Sequence, residues 1–310
     1  MSSKAKTLSF LNGELDGYVP ITACYHFGQQ HLDGKNHANL EVEFFRKFRP
    51  DILKVMNDYS FRSPSAADNK EFKFCKETAA SIASPQYAEQ LVAIKEISRQ
   101  ISGDVVIWDT VFNPWFTARR HVLFADINKH MKENPDETHV LLNFITENII
   151  DYIQESAVHG AEGFFYSVPA APKYLSHDEF LEFMKPYDDR VLKKIRETEK
   201  TVALHLHGTG DVYFRDIVDT YDFDILSWSS KNTSVDLGNA RKMTDKILMS
   251  GIDEDNEFNY RTYGELEKEV NDALSLMRGS RFILSPGCVL PPQCPTERLQ
   301  YMFNYARSVR

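Results

Sequence analysis

The sequence predicts an α/β protein folded as a single (β/α)8 TIM barrel spanning residues 1–310. Three observations lead there. Eight short, largely apolar runs recur along the chain, and each is followed by a segment of helical period. Runs of this kind suit strands buried on both faces of a parallel sheet, and eight β/α units in this length suit a closed barrel. No Gly-x-Gly-x-x-Gly turn and no Gly-rich phosphate loop follows any run, which disfavours the doubly wound open sheet.

Taken in order, the strand candidates are Tyr18–Ala23 (YVPITA), Asp51–Met56 (DILKVM), Asp104–Trp108 (DVVIW) and Gly163–Ser167 (GFFYS). Val202–Leu206, Asp224–Trp228, Lys246–Ser250 and Arg281–Leu284 complete the set. Between strands three and four, Leu141, Phe144, Ile145, Ile149, Tyr152 and Ile153 recur at helical spacings of three and four. Ser176 and Glu179 have capping-box spacing ahead of Phe180 and Leu181. Thr262 can cap the stripe Leu266, Val270, Ala273, Leu274 and Met277, with Gly279 as its stop. Leu299, Met302, Phe303 and Ala306 form the closing stripe after Pro295.

Composition narrows the function classes. Among 310 residues, 36 Lys+Arg stand against 45 Asp+Glu, a formal net charge of −9. That balance argues against a broad nucleic-acid surface, which needs clustered cations. Hydrophobic residues at 42% and charged residues at 26% are ordinary for a soluble globular chain and exclude disorder. No apolar run approaches the roughly 20 residues of a membrane helix. The opening MSSKAKTLSFLNGEL lacks a secretion-signal core, so no membrane or export role is expected. Four cysteines, Cys24, Cys75, Cys288 and Cys294, are too few for a disulfide framework, and a reducing cytoplasm is the expected home.

Barrel enzymes carry their chemistry on the loops after the C-terminal strand ends. There the sequence places Cys24, Tyr25 and His26, then Asn57, Asp58 and Arg62, then Asp109 and the stretch NPWFTARRH. Tyr166 and Ser167 follow from strand four, Trp228 and Ser229 from strand six, and Asp253 and Glu254 from strand seven. The long connections after strands two and three, the first with Pro64 and Ser65, are candidate lids. Asp58, His26 and Tyr166 are the candidate catalytic groups. Asp58 reads either as a proton-handling carboxylate or as an N-cap, and His26 either as a catalyst or as a satisfied loop residue. The acidic run DEDNE reads first as a solvated loop, with Asp253 or Glu254 a fourth metal ligand only by position.

His205 and His207 lie two apart on strand five, so both rings point to one face. With Cys288 from strand eight they make an N/N/S set suited to zinc with a coordination position left open. The competing reading is a hydrogen-bonded histidine pair beside a small buried thiol. Cys294, beyond a Pro-Pro pair, either supports the site or packs.

Several motifs, in order, resemble the uroporphyrinogen decarboxylase superfamily: KTLSFLNGE, VMNDYSF, NPWFT, HLHG and LSPGCVLPPQCPTERL. The resemblance covers nearly the whole chain and implies a (β/α)8 fold. Its members include cofactor-free decarboxylases and zinc-dependent methyltransferases that move a methyl group between a corrinoid protein and a thiol. The decarboxylase motif Arg-Gln-Ala-Gly-Arg is replaced here by YHFGQQ at 25–30, without arginine, and Asp58 matches the family aspartate. In place of the decarboxylase Phe-Asp-Ser-Trp, Phe165–Val168 lacks the acidic step. The methyltransferase ligands His-x-Cys-Gly and Gly-Cys correspond to His205-Leu206-His207-Gly208 and Gly287-Cys288, His207 standing where that branch has cysteine. The resemblance therefore implies a zinc-dependent methyltransferase-like enzyme with a small-molecule substrate and a corrinoid carried on a separate protein. The alternatives are a decarboxylase of a carboxylated substrate and a catalytically altered member of the superfamily.

Overall fold

A computed structural model describes residues 1–28, 32–59, 85–122, 127–259, 261–291 and 293–310. Its centre is a curled sheet of seven parallel strands in sequential order. They are β2 (Ile52–Val55), β3 (Val106–Phe112), β4 (Gly163–Val168), β5 (Thr201–Leu206), β6 (Ile225–Trp228), β7 (Ile247–Ile252) and β8 (Phe282–Pro286). A two-residue pair, β1 (Cys24–Tyr25) with β9 (Val289–Leu290), sits apart from this sheet.

The expected closed eight-stranded barrel is thus corrected to a barrel-like sheet whose ladder is open between β2 and β8. The gap holds the segment expected as the first strand, 18–23. It makes only an isolated parallel bridge, Ile21 to Leu284. Pro20, which has no N–H to offer a ladder, accepts from Leu284 N at 2.9 Å, and Thr22 N donates to Leu284 O at 3.1 Å. On the β2 side one backbone bond, from Asp51 N to Ile21 O at 2.8 Å, is joined by two from side chains. The Asp51 carboxylate accepts from Ile21 N at 2.9 Å, and the Thr22 hydroxyl donates to Ile52 O at 2.7 Å.

Helices cover the outside. The first ones are α1 (Ser3–Leu11), α2 (Gly34–Phe48), α3 (Pro85–Ile101), α4 (Pro114–Thr117), α5 (Ile127–Glu133) and α6 (Pro135–His159). They continue with α7 (His177–Phe183), α8 (Lys185–Glu197), α9 (Phe214–Thr220), α10 (Leu237–Met243), α11 (Tyr263–Leu276) and α12 (Thr296–Val309). The capping box at Ser176/Glu179 starts α7 as its spacing predicts, and Thr262 caps α11 as expected, with Glu265 completing a second box. The stripe of α6 buries Leu141, Ile145, Ile149, Tyr152 and Ile153, each aliphatic side chain contributing about 1.5–3 kcal/mol. Among the described residues no helix is long and apolar enough to cross a membrane.

Strand parity divides the core in two. Leu53, Val55, Ile107, Phe164, Tyr166, Val202, Leu204 and Leu226 pack in the layer between sheet and helices. Ile52, Val106, Trp108, Phe165, Ala203, Ile225 and Ile283 share the interior cluster with Phe10 of α1. Gly163 is required by this interior, because a Cβ there would lie 2.5 Å from the Trp108 ring.

β3 runs four residues beyond the expected Trp108, so Asp109 is not a loop residue. It is buried behind the sheet, accepting from Gln90 Nε2 at 2.9 Å, from Ser156 Oγ at 2.7 Å, and from the Tyr152 hydroxyl. The expected loop after β3 is instead α4, capped by Asn113, running into a π-helical turn over Ala118–Val122.

Candidate metal centre

Inward parity on β5 carries Ala203 into the apolar floor and His205 to the rung above it; His207 follows just past the strand. His205 is 4% exposed, with its ring stacked on Phe165 at 5.0 Å. Its Nδ1 contacts the Ser227 hydroxyl at 3.2 Å, which leaves Nε2 as the ring nitrogen available to a metal. The His207 amide donates to Val168 O at 2.9 Å, and the ring lies between Phe116 and Tyr174. Cys288 arrives from the end of β8. A Cβ on the preceding Gly287 would come 2.6 Å from Ser229 Cα and 2.9 Å from Trp228 O, so only glycine lets the chain pass there.

The candidate ligand atoms of His205, His207 and Cys288 all lie within 4.8 Å of one another. Cys288 Sγ is 3.7 Å from His207 Nδ1. Tetrahedral zinc with bonds of about 2.3 Å to sulfur and about 2.0–2.1 Å to nitrogen puts S and N about 3.6 Å apart, which the Cys288–His207 spacing matches. Electrostatics also suit it. Burial pushes His205 well below its usual range, and the charges of His207 and Lys54 add to the effect. Burial, then the charges of Lys173, Arg120 and Arg119, lower His207 to about 4. Both imidazoles are therefore neutral, the form that binds metal. Burial raises the Cys288 thiol to about 12, so its ionisation near neutral pH requires a cation beside it.

Two cavities meet at this cluster. One, about 280 Å³, is lined by Lys54, Phe112, Phe116, Arg120, Phe165 and His26. The other, about 480 Å³, is lined by Lys173, Ser229, Asn232 and Glu254. His205, His207 and Cys288 belong to both walls. In the second cavity Glu254 Oε1 accepts from Asn232 Nδ2 at 3.3 Å, and Oε2 is buried without a hydrogen-bond partner among the described residues. Burial raises the Glu254 carboxyl above its usual range.

The other candidates separate. His26 lines the first cavity, and its Nδ1 pairs with Asp58 Oδ1 at 2.5 Å. Tyr166 is a correction: its outward parity on β4 carries it behind the sheet, where its hydroxyl donates to buried Asp188 at 2.5 Å. Its inward neighbours Phe165 and Ser167 line the cavity instead. Cys294 packs, with Sγ 3.8 Å from Pro295 O. Asp253, expected in a solvated loop, is paired with Arg261 at 2.6 Å. Arg62, Pro64, Ser65 and Cys75 lie outside the described residues. Lys54 escaped the sequence reading, although a lysine inside the apolar run DILKVM was a signal, since buried strands rarely carry an unpaired charge. Arg120 gave no comparable signal.

A parallel, barrel-like α/β sheet with a metal-competent donor set at the C-terminal strand ends defines a barrel-type protein with a candidate site on the face where such folds carry theirs. The chain belongs to the uroporphyrinogen decarboxylase (URO-D) family, whose profile matches residues 64–309. It is 24% identical over 250 residues to a uroporphyrinogen decarboxylase of Rickettsia africae, covering 77% of this chain and 70% of that one. To uroporphyrinogen decarboxylase 2, chloroplastic, of Arabidopsis thaliana it is 22% identical over 308 residues, covering 90% and 76%. A solved methyltransferase from Methanosarcina mazei shares the fold at a TM-score of 0.77 and 18% identity, with 99% of both chains covered. A B12-independent methionine synthase from Shewanella sp. W3-18-1 shares it at 0.61 and 13%, covering 89% and 87%.

Proposed function

We propose that this chain is a zinc-dependent methyltransferase-like enzyme that moves a methyl group between a corrinoid on a separate protein and a small thiol. The observation that carries the reading is the convergence of His205, His207 and Cys288 on the wall shared by two cavities. Two cavities that share one wall let two reactants be held against the same centre, and holding both in place removes much of the entropic barrier to transfer. Zinc, when bound, supplies a Lewis acid that keeps a thiol ionised at neutral pH.

The chain's own residues do the rest. Ser227 holds the His205 ring, and the Phe116 and Tyr174 rings hold that of His207. Phe112, Phe116 and Phe165 exclude water from the first cavity, which strengthens every charge interaction inside it. Glu254, a carboxyl that burial raises above its usual range, lines the second cavity and would take up the proton an incoming thiol gives up.

The test is methyl transfer from methylcobalamin to small thiols, followed by the cobalamin absorbance. Turnover by zinc-loaded protein that disappears on chelation and in Cys288→Ser supports the reading. Absence of turnover with every thiol contradicts it.

A second reading, decarboxylation, is favoured by the His26–Asp58 pair at the first cavity and by the decarboxylase relatives. It predicts carbon dioxide release by metal-stripped protein that Asp58→Asn abolishes. If chelation abolishes that release as well, the second reading fails.

A further inference from the structure

We infer that Asp188, a buried carboxyl behind the sheet, is a positioning residue for the candidate metal centre: through Asn113 it fixes α4 and so places the Phe116 ring against His207. The inference rests on the zinc reading for its effect on metal affinity alone; the placement of Phe116 is tested without metal.

Asn113 joins β3 to α4 and is buried. Its backbone N–H donates to Ser167 O at 3.1 Å, which ties the turn to β4. The two ends of its side-chain amide have different partners. Oδ1 accepts from Phe116 N at 2.8 Å and starts α4, whereas Nδ2 donates to Asp188 Oδ1 at 3.1 Å. Turned over, the amide would set its NH2 against the Phe116 N–H, donor to donor, and its oxygen against the carboxylate, acceptor to acceptor. Asp188 therefore selects the amide orientation that caps α4. The carboxyl is itself fixed from two further elements. Tyr166 of β4 donates to Oδ1 at 2.5 Å, and Tyr221, at the end of α9, donates to Oδ2 at 2.9 Å.

The helix so aimed forms part of the site wall. At four residues, Pro114–Thr117, α4 is too short to hold its own direction, which its cap and its packing must supply. Phe116 lines the first cavity, with its ring 5.6 Å from that of His207. Arg120, on the π-helical turn that continues α4, lies over the Phe112 and Phe116 rings at 4.5 and 5.4 Å and moves with them. His205 is oriented by the Ser227 hydroxyl, whereas His207 is steered by the rings of Phe116 and Tyr174. A displaced Phe116 lets His207 turn, and a ligand ring that turns binds metal less well.

The test separates the cap from the tether in the full-length protein. Asn113→Ser keeps a capping oxygen but is too short to reach Asp188. Asn113→Asp and Asp188→Asn each break the match, and the two together restore it with donor and acceptor exchanged. Tyr221→Phe removes a bond from the same carboxyl without touching Asn113 and is the stability control. Zinc affinity, read by chelator competition, is expected to fall about tenfold in Asn113→Ser and in both single exchanges, the lower end of what outer contacts of a ligand supply. It is expected to recover in the double exchange and to stay unchanged in Tyr221→Phe. In metal-free protein the His207 ring resonance, identified by its loss in His207→Ala, is expected to shift in the same variants and in the direction set by Phe116→Leu. Asn113→Ser carries the test alone if the exchange variants do not fold. Tyr221→Phe as weak for zinc as Asn113→Ser, or a double exchange that regains stability without zinc affinity, overturns the assignment. So does a His207 resonance that Asn113→Ser leaves unmoved. If the wild type binds no zinc while that resonance still follows Asn113 and Asp188, the positioning stands and the zinc reading falls.

Discussion

His207 Nδ1 and Cys288 Sγ stand 3.7 Å apart although 81 positions separate them in sequence. The contact joins the end of β5 to the end of β8, and both side chains reach it by backbone constraints. Inward parity on β5 turns His207 toward the axis. Gly287 lets the chain after β8 close on Ser229 and Trp228, which delivers Cys288.

Gly287→Ala is expected to damage the site by pushing apart backbone rather than by removing any ligand. The new Cβ would meet Ser229 Cα at 2.6 Å and Trp228 O at 2.9 Å, and neither atom belongs to a flexible side-chain end. Overpacking of this kind costs about 1–3 kcal/mol, and Cys288 should shift with the strand end. Lower melting temperature together with lower zinc content is the expected outcome. An unchanged pair of values would show that the strand end does not position the thiol.

Tyr166→Phe separates structure from chemistry. Its hydroxyl serves Asp188 at 2.5 Å behind the sheet. Loss of that bond to a buried carboxyl is expected to cost about 1.5–3 kcal/mol in denaturant unfolding, with zinc content and turnover per folded molecule retained. Lost turnover at full stability would restore Tyr166 to the catalytic groups.

Asp188 makes stability depend on pH. Burial raises its carboxyl to about 7, against lowering by hydrogen bonds from Tyr166, Tyr221 and Asn113. The unfolded value is about 3.9. Between the two, the folded chain holds a proton that the unfolded chain has lost, so this group's contribution falls as pH rises from about 4 to 7. The slope is at most about 1.4 kcal/mol per pH unit. Asp188→Asn should flatten unfolding free energy against pH across that window, and an identical slope in the variant would refute the shift.

Much of this arrangement was legible in the sequence where periodicity or motif spacing carried it. The seven sheet strands appeared as apolar runs, and the His-x-His spacing put two rings on one face. Closure of the sheet was not legible, because YVPITA has strand composition, yet Pro20 lacks an N–H and the segment keeps one backbone bond to the β2 side, with the Asp51 and Thr22 side chains supplying the others. Tyr166 was misplaced because a run buried on both faces shows no alternation to mark which face looks inward. Trp108 against Gly163 fixes that parity, and it is a tertiary contact. Lys54 was visible as a lone charge in an apolar run, but the cavity it lines forms only when β2, β4 and β5 meet.

The central claim is that His205, His207 and Cys288 hold one zinc ion. Elemental analysis of untagged protein, wild type beside His207→Ala and Cys288→Ser, tests it most directly. Near-stoichiometric zinc in the wild type and its loss from both variants is the predicted result. A wild type that takes up no zinc after reconstitution, or variants that retain it in full, would contradict the claim.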